Sequence, residues 1–120
     1  MGLFSRKPNP EAELAKALAQ RGVPGRATVV SMRETGNERD GIAKEIEFVL
    51  DLEVRDQGTV RVATSQYMNR FTLHKLAPGE PARVMYDRDD PEKVLVEGHA
   101  RYRTDIVANE IVVIEVEDVS

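Results

Sequence analysis

The stretch IAKEIEFVLDLEV, residues 42–54, alternates almost without interruption, and that period commits the chain to a sheet-based fold. Its even positions are Ile42, Lys44, Ile46, Phe48, Leu50, Leu52 and Val54, apolar at all but Lys44. Its odd positions include Glu45, Glu47, Asp51 and Glu53. Such a segment is a long strand with one face buried and one acidic face in water. Ahead of it, ATVVSM (residues 27–32) is rich in β-branched residues and reads as a strand. The polar run ETGNERDG between them, with Gly36, Asn37 and Gly41, reads as a loop.

The same alternation continues downstream. RDQG, residues 55–58, makes a tight return into TVRVAT, whose Val60 and Val62 point inward. ARVMYD (82–87), KVLVEG (93–98) and the strongly apolar IVVIEV (111–116) supply further strands. One helix precedes them in residues 9–22. Asn9 is its N-cap, Pro10 fits its first position, and Glu11 and Glu13 complement its positive end. Arg21 suits the other end, and Gly22 is the residue to stop the helix in a left-handed conformation. Leu14 and Leu18 form a thin stripe to lay on the sheet.

Several short strands with one helix predict a mainly β domain: a small OB-like or SH3-like barrel of five or six strands with an N-terminal α-helix. The expected organisation is a flexible tail (1–8), the helix (9–22) and a β-barrel domain (23–120). A length of 120 residues suits one domain, and 41% hydrophobic with 32% charged residues is a globular composition. Only 5% of residues are aromatic and Trp is missing, so Val, Leu, Ile and Ala must build the core. The lack of Cys removes disulfides, thiolate nucleophiles and Cys-ligated metals, and fits a reducing cytoplasm, the expected location.

The opening MGLFSRKPNP is too short and too interrupted by Pro8 and Pro10 for a signal peptide. Leu3, Phe4, Arg6 and Lys7 make it a frayed terminus able at most to brush an anionic membrane. Arg6 occupies the place where a myristoylation signal requires Ser or Thr. No apolar run approaches the ~20 residues of a membrane-spanning helix.

RVMYDRDDPEKVLVEG, residues 83–98, gathers Asp87, Asp89 and Asp90 between two apolar runs, and raises the question of a metal site. A calcium loop counted from Asp87 would need Gly where Glu92 stands and Glu where Gly98 stands. Arg88 and Lys93 add positive charge. The cluster reads instead as turn chemistry, Asp side chains accepting backbone N–H bonds while Pro91 fixes a dihedral. No metal or cofactor is expected.

Catalytic patterns are equally sparse. His74 and His99 are the only histidines and lack metal-ligand spacing, and neither Ser31 nor Ser65 lies in a nucleophile elbow. No phosphate-cradling Gly loop occurs, since Gly22 and Gly25 read as helix-stop and turn residues. Glu45 and Glu47 fall on a solvated strand face. An enzyme is not expected.

The unusual surface segment is QYMNRFTLHK, residues 66–75. It concentrates Tyr67, Met68, Arg70, Phe71, His74 and Lys75 in an acidic chain of net charge −4, and those residue types are enriched at protein interfaces. The competing explanation is that Phe71, Leu73 and Leu76 merely plug the open end of the barrel while Arg70 and Lys75 are solvated.

Two resemblances add to this. VPGRATVV, the long alternating strand and LAPGEPARVMYDRDDPEKVLVEG resemble a group of small bacterial β-barrel domains of unknown function. Those domains show a Pro-Gly-x-Ala-x-Val opening and a Gly-x-x-Val-x-Val-x-Tyr-Asp-Pro-x-Asp-Pro close. Arg88 stands where that pattern has Pro. The resemblance covers about residues 23–98, and implies the fold and no activity. VEGHARYRTDIVANEIVVIE is similar to the last two strands of bacterial single-stranded-DNA-binding proteins, without the long loop between them, and implies OB-like topology.

The expected function is therefore a non-catalytic protein-binding or assembly module, acting on another protein or on a second copy. The alternative is a single-stranded nucleic-acid-binding OB module using Tyr67, Arg70, Phe71, Lys75, Arg101, Tyr102 and Arg103. Assembly points to Val113: residues 111–114 are apolar on both faces, so that strand is expected to close the barrel or pair across a homo-oligomer.

Overall fold

The alternating segment forms strand β2 (Ala43–Val54) in the computed structural model, which describes residues 10–116. Ile46, Phe48, Leu50, Leu52 and Val54 are buried, whereas Ile42, in the turn before the strand, is 73% exposed. Each fully buried side chain of this size contributes roughly 1.5–3 kcal/mol. The expected tail, residues 1–8 with Leu3, Phe4, Arg6 and Lys7, and the Asn9 cap lie outside the described residues.

The order of elements is α1 (Pro10–Arg21), β1 (Gly22–Arg39), β2, β3 (Gly58–Asn69), β4 (Pro81–Asp87), β5 (Asp90–His99), β6 (Tyr102–Val107) and β7 (Glu110–Glu115). Five strands make one antiparallel sheet in the order β3-β2-β1-β4-β5. The other two form a separate hairpin, β6-β7. The architecture is mainly β with one helix, as the periodicity implies, but the sheet is not a closed barrel.

β1 explains the shape. Its first part, Gly22 to Thr28, pairs with Asp87 to Pro81 of β4, while its length from Arg26 onward pairs with β2. Val30 is an extra residue between Val29 and Ser31 in the pairing with β2, a bulge. The inward positions accordingly change parity, from Ala27 and Val29 to Met32. Beyond Glu34 the register breaks a second time: Thr35, Gly36 and Asn37 have no partners in β2, with Gly36 at positive φ, before Glu38 and Arg39 pair with Lys44 and Ala43. The polar run expected as a loop is thus an irregular, exposed extension of β1. Only residues 40–42 turn, with Asp40 and Gly41 at positive φ and the Ile42 N–H donating to the Arg39 carbonyl at 3.1 Å.

Gly22 does not stop α1 in a left-handed conformation, since its φ is not positive. It opens β1, and a Cβ there would lie 2.4 Å from the Leu18 carbonyl oxygen and 2.8 Å from Met85 Cγ. Close approach of helix to strand, not backbone freedom, requires the glycine. Gly25, expected in a turn, also lies in β1. A Cβ on it would meet the Tyr86 ring at 2.5 Å. That ring is buried across the bare strand, and its hydroxyl accepts the Arg55 N–H at 3.1 Å.

Because β1 has a partner on each side, the sheet's two outer strands, β3 and β5, come to face one another. They are joined through side chains. Gln66 of β3, 6% exposed, donates Nε2–H to the Val96 carbonyl and accepts the Val96 N–H at Oε1, both at 2.8 Å. Thr64 Oγ1 reaches the Val94 carbonyl more loosely, at 3.4 Å. The core of Phe48, Ile46, Leu50, Val84, Tyr86 and Val94 lies within this curl, and Leu18 of α1 is buried against its outside.

The final strand does not close the sheet, contrary to expectation. Among the described residues β7 pairs only with β6, in a register from Tyr102↔Glu115 to Val107↔Glu110. Val112, Ile114 and Val116 are half-buried, while Ile111 and Val113 are 52% and 44% exposed.

Replacing Gln66 by Ala should leave both Val96 backbone groups without partners and lower stability by about 2–4 kcal/mol in chemical denaturation. An unchanged denaturation midpoint would show that the two edges are held together by other contacts.

Candidate functional site

The segment 66–75 does not form one patch. Met68, on the inward parity of β3, is 4% exposed and belongs to the core. Tyr67, its outward neighbour, lies under the Arg39 guanidinium at 4.1 Å, and its N–H donates to Glu11 Oε2 at 3.4 Å. Glu11 also pairs with Arg39 at 3.4 Å, so Tyr67 is fastened between the helix and the β1–β2 ribbon.

Arg70, Phe71, His74 and Lys75 lie beyond the strand, in the connection of residues 70–80. Asn69 organises its start: Oδ1 accepts the N–H groups of Phe71 and Thr72, at 3.0 and 2.9 Å, and the Thr72 hydroxyl at 3.1 Å. This is side-chain capping of a short helical turn, continued by Leu73 N–H to the Asn69 carbonyl and Leu76 N–H to that of Leu73. Leu76 is buried and Leu73 packs on the core, while Phe71 is half-buried. Lys75 takes φ +69, which turns the chain away. The connection is then tied to β1 by the Gly79 N–H to the Val29 carbonyl at 2.7 Å and the Val29 N–H to the Glu80 carbonyl at 3.0 Å.

The capped turn meets the β6–β7 hairpin around a cavity of about 130 Å³. Phe71, Thr72 and His74 line it from the connection, Arg83, Glu97 and Gly98 from the sheet, and Tyr102 and Arg103 from the hairpin. Residues from the two functional expectations therefore line one cavity: Phe71 and His74 with Tyr102 and Arg103. Gly98 takes φ +145, and a Cβ there would come 3.4 Å from Arg83 Nη2. Arg83 is steadied from behind, Nη1 donating to the His99 carbonyl at 3.1 Å and Nη2 to that of Glu97 at 3.4 Å. Arg70 stacks over Phe71 at 5.0 Å, and Lys75 over Tyr102 at 5.4 Å.

His99, 1% exposed, anchors the hairpin from inside. Its Nδ1 accepts the Arg101 N–H at 3.0 Å, which leaves Nε2 to donate to Glu80 Oε1 at 3.1 Å. The ring packs at 60° against Tyr102, centroids 4.9 Å apart. Neither nitrogen is left to act on a substrate. Sequence reasoning missed Arg83, Glu97, Gly98 and the anchoring role of His99. The only signal for them was Gly98 closing an apolar run, too common a feature to mark a site.

The aspartates at the β4–β5 turn do different work from one another. Asp87 is 1% exposed; one carboxylate oxygen accepts the Asp89 N–H at 2.9 Å and the other pairs with Arg21 Nη2 at 3.1 Å. It thus caps the turn and clamps the end of α1. Asp90 pairs loosely with Lys93 at 4.0 Å. Among the described residues no three His, Asp or Glu side chains are grouped to hold a metal ion.

The outward face of β2 is acidic but answered by cations. Arg61 Nε and Nη2 donate to Asp51 at 2.8 and 3.1 Å and hold its carboxyl below the usual range. Glu45 is held low by hydrogen bonds from Thr35 first and Asn37 second, at 2.8 and 3.0 Å. Arg33 meets Glu47 at 2.6 Å.

Comparison with models of protein families, with curated proteins and with solved structures found no match. Neither sequence resemblance therefore carries a family assignment.

Asp87→Asn should lose about 1–2 kcal/mol, because it weakens a clamp whose Arg half is exposed, whereas Asp89→Asn and Asp90→Asn should lose under about 0.5 kcal/mol. Calcium or magnesium should raise the melting temperature of none of the four proteins; stabilisation of the wild type alone would mark a cation site.

A second outcome concerns pH. Asp51 has its folded pKa lowered, so its contribution is present above the unfolded value of ~3.9 and is lost as pH falls through the lower folded value. The melting-temperature gap between wild type and Asp51→Asn should be open at neutral pH and close only in that acidic window. A gap that persists through it would mean that the Arg61 pairing contributes nothing.

Proposed function

We propose that the protein is a non-catalytic binding module of OB type that engages another protein at the corner where the 70–80 connection meets the β6–β7 hairpin. One observation carries the reading: two aromatic rings and several cationic groups, drawn from three separate parts of the chain, surround one cavity. Aromatic and Arg side chains around a recess are what protein interfaces use as anchors. The OB assignment is supported by the strand order, in which β1 pairs with both β2 and β4 and leaves β3 facing β5 in a five-stranded, partly open curl.

The non-catalytic reading rests on the commitments of four titratable groups. Both nitrogens of His99 are occupied, and Asp51, Glu45 and Glu47 are bound to cations or donors on an open strand face. A general base needs a free lone pair within reach of a sheltered substrate.

Nucleic-acid binding is the weaker reading for a physical reason. OB modules bind oligonucleotides on the face of strands 2 and 3, and here that face carries Glu45, Glu47, Asp51 and Glu53. Stacking also needs open ring faces, and Lys75 and His99 flank Tyr102 while Arg70 covers Phe71.

Immobilised wild type should capture a partner from lysate of its native cell, and Tyr102→Ala should not, with both variants folded by circular dichroism. In parallel, a fluorescent oligothymidylate should show no anisotropy change even at low salt. Binding that is strong there and falls by orders of magnitude between about 50 and 200 mM salt would establish the nucleic-acid reading instead.

A further inference from the structure

We infer that the cavity between the capped turn and the hairpin receives an acidic side chain, Asp or Glu, from a protein partner. The inference rests on the binding-module reading and adds the chemistry of what is bound.

Size sets the first limit. At about 130 Å³ the cavity is well below the ~300 Å³ at which cofactor and small-molecule sites begin. It is close to the ~150 Å³ that accepts a single benzene-sized group. One side chain fits; a nucleotide does not.

Charge sets the second. Among the described residues, Arg83, Arg103 and His74 line the space against one carboxylate, Glu97. Arg83 is held by the carbonyls of His99 and Glu97, which fixes the plane of its fork and leaves further N–H donors for a ligand. Arg103 is exposed and makes no ion pair to a described side chain, so it can fold inward over a bound carboxylate. Planar guanidinium groups meet carboxylates through paired, charge-assisted bonds. Phe71 and Tyr102 supply apolar walls for the methylene stem behind the carboxylate.

Gly98 gives the third. Its φ of +145 disfavours any side chain, and a Cβ there would stand in van der Waals contact with Arg83 Nη2 at 3.4 Å, so the backbone beside the fork is bare.

The test uses the full chain, isotopically labelled, titrated with an acetylated and amidated hexaglutamate while backbone amide resonances are followed. Saturable shifts are expected at Thr72, Gly98 and Arg103. Arg103→Glu, an exposed change that should leave the melting temperature intact, should weaken binding about tenfold or more, and Glu97→Gln should tighten it. Hexalysine should produce no shifts at these amides. The inference is overturned if hexaglutamate at millimolar concentration moves none of the three amides, or moves them equally in Arg103→Glu. It is also overturned if oligothymidylate saturates the same amides more tightly, which assigns the corner to nucleic acid. Capture of the native partner separates the two levels. If Arg103→Glu retains the partner and Tyr102→Ala loses it, the acidic chemistry fails and the binding module stands; if neither loses it, both fail.

Discussion

One carboxamide holds the two edges of this sheet together. A five-stranded antiparallel sheet with β1 near its middle twists until β3 and β5 confront each other, each with a row of unpaired backbone groups. Gln66 offers the pairing that a neighbouring residue's peptide would offer, one acceptor and one donor, and satisfies both polar groups of Val96. Burial makes the arrangement consequential, because polar groups that lose their partners there also lack water. The position of the corner follows. With β3 seated against β5, the chain leaving Asn69 must cross the end of the curl, and the capped turn it forms there lies beside the strand that leads into the hairpin.

That dependence bears on what the sequence could reveal. β2 was legible because every inward position but one is large and apolar and every charged outward position is acidic, which leaves one register. The β1–β2 ribbon was not. Residues 34–39 have no buried face, and what holds them is the pairing of Glu34, Glu38 and Arg39 with β2, the bonds of Thr35 and Asn37 to Glu45, and the contacts of Arg39 with Glu11 and Tyr67. Polar residues with Gly and Asn give the same letters for a solvated strand as for a loop. Gly22 and Gly25 misled for a related reason. Their role is to let Leu18, Met85 and Tyr86 approach the backbone, and a contact between distant segments leaves no local mark.

β7 failed in the opposite direction. Four apolar residues in a row implied cover on both faces, yet the strand sits in a two-stranded hairpin with Ile111 and Val113 half-exposed. Runs of this kind signal a central strand only when tertiary structure provides a second neighbour, which the pattern alone does not encode. Gln66 did leave a sign. Along the inward parity of β3 run Val60, Val62, Thr64, Gln66 and Met68, and an amide amid such residues demands a buried partner. The candidate site was legible only as composition. Segment 66–75 carries interface-type residues, but strand parity sends Met68 inward and Tyr67 toward Arg39, and only the portion past Asn69 reaches the cavity.

Net charge hides the property that matters most for recognition. The chain is acidic, at −4, but several carboxylates of the β1–β2 pair stand opposite cations: Glu47 of β2 with Arg33, Asp51 of β2 with Arg61, and Glu34 of β1 with Lys44 across the ribbon. Cross-strand pairs of this kind cancel locally and are screened by salt, so they contribute little field beyond their own surface. At the corner the balance runs the other way. Arg70 and Lys75 are spent on ring faces, which neutralises neither charge, and Arg83 is bound to carbonyls rather than carboxylates. Cations that bond to neutral partners keep their full charge at a place where, among the described residues, Glu97 is the only carboxylate lining the cavity. An acidic protein can thus present a basic recess, and the partner it selects is set by that local excess and not by the sign of the whole molecule.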